Sequence, residues 1–125
     1  MSAARTLSST ALLAGALGCG NLTSAAQDQF TIQATGREVV LRNTAAQSTF
    51  YLVVDREAAA SINFAVCVGE PPCRSVAPDS SVRIPYGEIT GYHEGSREAV
   101  VYWWRAVESS TGPRADSVRS TVTGL

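Results

Sequence analysis

Three cysteines are the residues of this chain with the most defined chemistry. Cys67 and Cys73 enclose five residues, and a hairpin loop of that length could bring their Cα atoms within disulfide range. A redox pair would favour a Cys-x-x-Cys spacing at a helix N-terminus, and a structural zinc site needs four ligands, which a chain with one histidine cannot easily supply. The pair therefore predicts a structural disulfide, which leaves Cys19 as the odd cysteine.

Cys19 ends the run Ala16-Leu17-Gly18-Cys19. The apolar stretch that leads to it is long enough for the core of an export signal and too short for a membrane span of roughly 20 residues. The run resembles the lipobox of bacterial lipoproteins, except that Ala16 stands where leucine is usual. The resemblance implies a diacylglycerol group on the Cys19 thiol, cleavage before Cys19 and acylation of the new amino terminus.

A second cleavage site competes with this interpretation. Ser24-Ala25-Ala26 suits ordinary signal peptidase and would make Gln27 the first residue of a secreted protein, an inhibitor or an effector. A transit peptide is the weaker alternative, because the segment carries only one arginine, Arg5. Under the lipoprotein interpretation, Gly20 stands where aspartate would mark retention in the inner membrane, so the resemblance slightly favours the outer membrane.

The sole histidine, His93, and several acidic pairs are candidates for acid–base or metal chemistry. His93 lies in a glycine-flanked segment typical of an exposed turn, and no Gly-x-Ser-x-Gly motif supplies a nucleophile. Asp55 and Glu57 would share one face of a strand, where they are expected to be solvated edge charges, and Glu94 with Glu98 is equally ordinary. We therefore expect no catalytic residues, no metal site and no cofactor; a small hydrolase or metal enzyme that uses His93 is the minor alternative.

The aromatic run Val100 to Trp104 is a candidate binding surface. Strand alternation places Tyr102 and Trp104 on one face and Trp103 on the other, so that one face packs into a core. The remaining face is either covered by neighbouring side chains, such as the stem of Arg105, or forms an exposed patch that binds a protein or a glycan. Tyr102, Trp103 and Trp104 are the candidate residues of that patch.

Short apolar runs with period-two alternation follow Phe30, separated by Gly, Pro, Asn and Asp. They predict about seven strands, with no confident helix, which is typical of a β-sandwich or barrel. Ile62, Phe64 and Val66 are expected to share one face of one strand, and Arg97 to Glu108 is the strongest strand.

The arrangement resembles the immunoglobulin-like or fibronectin-like domains of bacterial surface proteins, and the small lipoproteins that carry one such domain. The likeness rests on the strand that ends at Asn43, the strand that begins at Thr49, and the approach Val76-Ala77-Pro78-Asp79-Ser80 to the next strand. It implies an all-β fold, an immunoglobulin-like antiparallel β-sandwich of about seven strands. The expected organisation is a signal peptide at 1–18, a lipidated tether at 19–29 and a β-sandwich domain at 30–125.

Composition limits the classes of partner. Loss of Arg5 with the signal leaves nine of the ten basic residues against eleven acidic ones, a net charge of −2. No basic stripe is visible, so nucleic acid is not an expected partner. The expected product is a lipid-anchored, non-catalytic module of the cell envelope that contacts the membrane through its N-terminal lipid.

Overall fold

The computed structural model describes residues 29–69 and 73–125, and this part of the chain is predominantly β. The signal peptide, Cys19 and nearly all of the expected tether therefore lie outside the described residues. A four-residue helix α1, Arg56–Ala59, follows the third strand, and a 3-10 turn spans Tyr86–Glu88. The strands are Phe30–Ala34 (β1), Glu38–Asn43 (β2), Thr49–Asp55 (β3), Ser75–Val76 (β4), Ser80–Pro85 (β5), Glu98–Trp104 (β6), Ala106–Ser109 (β7), Gly112–Ala115 (β8) and Arg119–Gly124 (β9).

Seven of these strands form two antiparallel sheets with the orders β1-β2-β5 and β4-β3-β6-β9. The chain passes between the sheets after β2, β4 and β5, so that strands distant in sequence become neighbours. This is the expected all-β antiparallel sandwich. The remaining strands, β7 and β8, pair only with each other among the described residues and form a separate ribbon.

Alternating side chains of both sheets fill the space between them, which is the core of the sandwich. Val39 and Leu41 of β2 are fully buried, and they face Val101 and Trp103 of β6 within one cluster. The ring of Phe30 packs against Trp103 with their centroids 4.9 Å apart. The alternating apolar residues of β1, β2 and β5 therefore point into the core, as the sequence predicts.

The sheet that contains β3 and β6 is covered on its other face as well. Val54 of β3 and Val100 of β6 point away from the core cluster, yet they are 0% and 9% exposed. The connection from β3 to β4, which includes α1, packs over this face; Phe64 lies 5.1 Å from Tyr102 and 6.1 Å from Trp104, measured between ring centroids. The molecule thus has a third, irregular layer, and we call its segment 62–69 the cover.

The cover corrects the strand expected at Ile62, Phe64 and Val66. These residues have no regular secondary structure, and Val66 is 42% exposed. The position beside β3 is taken by β4 at Thr49 and Phe50, and by the bridge from Thr90 at Val54. The cover therefore contributes side chains to the face of the sheet and no strand to its edge.

The strand expected over Arg97 to Glu108 is divided. β6 ends at Trp104, and Arg105 separates it from β7. Pro113 lies within β8, opposite Glu108. A two-stranded ribbon tolerates proline because each of its strands has a free edge.

Candidate functional site

Asp55 is a buried acidic residue at one end of the sandwich. It is the last residue of β3 and the N-cap of α1, where its carboxylate accepts hydrogen bonds from the backbone N–H groups of Glu57 (3.1 Å) and Ala58 (3.0 Å). Aspartate is preferred at this position because it satisfies N–H groups that have no partner inside the helix. Asp55 is only 2% exposed, so the expectation of a solvated edge charge is wrong for this residue.

The connection between β5 and β6 brings a second set of polar groups to Asp55. The backbone N–H of Asp55 donates to the Thr90 carbonyl at 2.8 Å, and the Thr90 N–H donates to Val53 at 3.1 Å. Gly91, at φ +79°, lies so close to α1 that a Cβ atom there would be 2.6 Å from the Cβ of Ala58. These contacts fix the connection against β3 and α1.

His93 completes the group. Its Nε2 lies 3.4 Å from Glu57 Oε1 and 3.9 Å from Asp55 Oδ2, while its Nδ1 accepts a hydrogen bond of 3.1 Å from the Gly95 N–H. Because Nδ1 is an acceptor, the proton of the neutral imidazole is on Nε2, which faces the two carboxylates. Neither ring nitrogen then offers a free lone pair to a proton or a metal ion.

Ser96 links the histidine loop to Asp55. Its hydroxyl accepts from the backbone N–H of His93 at 3.0 Å and is hydrogen-bonded to the Asp55 carboxylate. That side-chain hydrogen bond is the largest cause that lowers the pKa of Asp55 below its ordinary 3.8, with help from the backbone N–H groups of α1 and from His93, against the opposing effect of burial. The carboxylate is therefore ionised and fully hydrogen-bonded, which suits a structural role in holding the loops together.

An open cleft of about 420 Å³ adjoins this cluster. Its walls carry charges of both signs, and Arg56 and Glu98, which form an ion pair between Nη1 and Oε1 (3.0 Å), are among the residues that line it. Asp55, Glu57 and His93 are close enough to ligate one ion, since their ligand atoms lie within 4.8 Å of one another. Ligation through Nε2 would require the proton to move to Nδ1, where the Gly95 N–H already points.

The aromatic run is divided between the two faces of its sheet as alternation predicts. Trp103 is 3% exposed and lies in the core, with the guanidinium carbons of Arg105 and Arg119 5.9 and 5.3 Å from its ring centroid. Trp104 is also 3% exposed and lies under the cover, while Tyr102 is half-buried beside Phe64. The outer face is thus covered by neighbouring side chains, and two of the three expected patch residues are inaccessible at the surface.

The expected disulfide between Cys67 and Cys73 is present, with Cα atoms 5.5 Å apart. It closes the end of the cover, and the Cys67 carbonyl accepts a hydrogen bond of 2.8 Å from Trp104 Nε1. Beside it lies a cleft of about 190 Å³. The described residues that line this cleft are Tyr51, Leu52, Phe64, Ala65, Cys67, Cys73, Arg74 and Trp104.

No protein-family model matches this sequence, and comparisons with curated proteins and with solved structures found no significant match. Within residues 29–69 and 73–125, none of the helices has the length and apolar character needed to cross a membrane.

Proposed function

We propose that the chain is a bacterial lipoprotein, anchored through lipid on Cys19, whose β-sandwich is a non-catalytic binding or structural module of the cell envelope. The observation that carries the proposal is the Cys67–Cys73 disulfide, because it occupies two of the three cysteines. Disulfides form and persist in oxidising compartments, which supports export. The remaining cysteine ends the lipobox-like run, where lipidation gives the thiol a purpose.

The polar cluster supports the non-catalytic part of the proposal. A general base needs a lone pair within reach of a substrate proton, and His93 directs Nδ1 to Gly95 and the protonated Nε2 to Glu57 and Asp55. Asp55 is engaged by Ser96 and by α1. Asp55 and His93 are thus both engaged in contacts that hold the loops together. Partners are proteins, glycans or small molecules of the envelope; the acidic net charge disfavours nucleic acid.

The experiment is the mass and N-terminal sequence of the protein from membrane and soluble fractions of a bacterial host, with radiolabelled palmitate in the medium. We expect an acylated chain that begins at Cys19, in the membrane fraction and with outer-membrane markers. Cys19→Ser should remove the label. Ala26→Asp is the matched control, since it blocks cleavage after Ala26 and leaves the lipobox-like run intact.

The alternative is a secreted soluble β-sandwich protein cleaved after Ala26, and the same variants separate it. It predicts an unacylated chain that begins at Gln27, no effect of Cys19→Ser, and accumulation of the precursor in Ala26→Asp. That pattern would overturn the lipid anchor.

A further inference from the structure

The described residues that line the cleft of about 190 Å³ beside the disulfide are mostly apolar or aromatic. Leu52 and Trp104 belong to the outer face of the sheet, and Phe64 and Ala65 belong to the cover. The Trp104 N–H, a polar group on this wall, is already donated to the Cys67 carbonyl. An apolar cavity of about 150 Å³ accommodates a single benzene ring, so this cleft has room for one aromatic ring.

One charged residue, Arg74, is among the described residues that line the cleft. Arg74 is exposed, and within residues 29–69 and 73–125 its side chain forms no ion pair. A guanidinium group binds a carboxylate with two parallel hydrogen bonds, which gives both affinity and orientation. The aromatic side chains and the arginine among the described lining residues are complementary to an aromatic ring that carries a carboxylate.

We propose that this cleft binds a small aromatic monocarboxylate, of the size of phenylacetate, with the ring against Leu52 and Phe64 and the carboxylate on Arg74. This inference rests on the binding role proposed above and names its ligand class; it is independent of the lipid anchor.

The test is titration of the mature protein, purified from the fraction in which it is found, with phenylacetate and with its neutral analogue phenylacetamide. Calorimetry and tryptophan emission are the readouts, since Trp104 lines the cleft. We expect saturable binding of phenylacetate and about 10-fold weaker binding to Arg74→Gln, with phenylacetamide affected little by that variant. Arg114→Gln, a change at an exposed arginine on the β7–β8 ribbon, is the matched control and should bind as the unmodified protein does.

A second variant, Ala65→Leu, adds volume to the cleft wall and should weaken both ligands equally. Absence of saturable binding up to roughly 10 mM phenylacetate would overturn the proposal. The proposal would also be overturned if Arg74→Gln weakened the binding of phenylacetate and phenylacetamide equally. The same holds if Arg114→Gln weakened phenylacetate binding as much as Arg74→Gln does. Cys19→Ser should bind phenylacetate normally. The lipid anchor is therefore tested by the mass and palmitate label, and the binding cleft by the ligand titration.

Discussion

The indole nitrogen of Trp104 donates a hydrogen bond of 2.8 Å to the carbonyl oxygen of Cys67. This bond joins the last residue of β6 to the start of the disulfide loop, 37 residues away in sequence. The stacking of Phe64 on the same indole adds an apolar contact, so the cover is held at its disulfide end and in its middle. A segment without regular secondary structure thereby protects an aromatic sheet face from water.

Opening the disulfide should expose Trp104 and leave Trp103 protected. Each tryptophan is observed alone in the variants Trp103→Phe and Trp104→Phe, and its accessibility is measured by acrylamide quenching before and after reduction and alkylation. We expect stronger quenching of Trp104 after reduction, because the Cys67 carbonyl loses its fixed position. Trp103 lies between the two sheets and should not change. Equal responses of the two tryptophans would show that reduction loosens the whole sandwich and not the cover.

Replacement of both Cys67 and Cys73 by alanine should lower the free energy of unfolding by about 2 kcal/mol, because the bond closes a short loop and restricts the unfolded chain. Denaturant unfolding of the oxidised protein, the reduced protein and the double variant measures it. The reduced protein and the double variant should coincide. A stability unchanged by reduction would mean that the bond is not formed in the protein as isolated.

Gly91→Ala should be more destabilising than Gly36→Ala. Both glycines have positive φ, at +79° and +97°, so alanine strains the backbone at either site, by about 1 kcal/mol. Only at Gly91 would the new Cβ also meet Ala58, at 2.6 Å, and such overpacking costs about a further 1–3 kcal/mol. Thermal unfolding of the two variants gives the difference.

The double variant Gly91→Ala/Ala58→Gly tests the cause. It removes the clash while keeping the backbone strain, so it should recover most of the excess loss of Gly91→Ala over Gly36→Ala. No recovery would assign the loss to the backbone alone.

The sandwich can be predicted from the sequence because apolar and polar residues alternate along its strands. Val39 and Leu41 alternate with solvent-facing residues in β2, and the structure places both in the core. Patterning does not distinguish the cover from a strand, since Ile62, Phe64 and Val66 alternate in the same way although their backbone joins no sheet. A usable signal was present elsewhere: β3 and β6 are nearly continuous apolar runs, which indicates strands buried on both faces.

The polar cluster shows a different limit of sequence reasoning. Asp55 directly follows an apolar strand and precedes Glu57, Ala58 and Ala59, a helix-start pattern that could have predicted its capping role. Its contacts with Ser96 and His93 could not be predicted in that way. They depend on how the connection between β5 and β6 returns to β3, which local spacing does not encode.

The ionised state of Asp55 should make the fold sensitive to acid. Because the pKa of Asp55 in the folded protein is lowered from 3.8, the unfolded chain binds the proton more readily. The stabilisation is therefore complete well above the unfolded-state pKa and is lost as the pH falls from about 5 through that value to the lower folded-state pKa. Denaturant unfolding at a series of pH values, for the unmodified protein and Asp55→Asn, measures the effect.

Asparagine still caps a helix but carries no charge, so Asp55→Asn should be less stable than the unmodified protein at neutral pH, and the two stability curves should converge in acid. Asp116→Asn, at an exposed position, should follow the unmodified protein throughout, and parallel curves for Asp55→Asn and the unmodified protein would show that the carboxylate contributes no acid sensitivity.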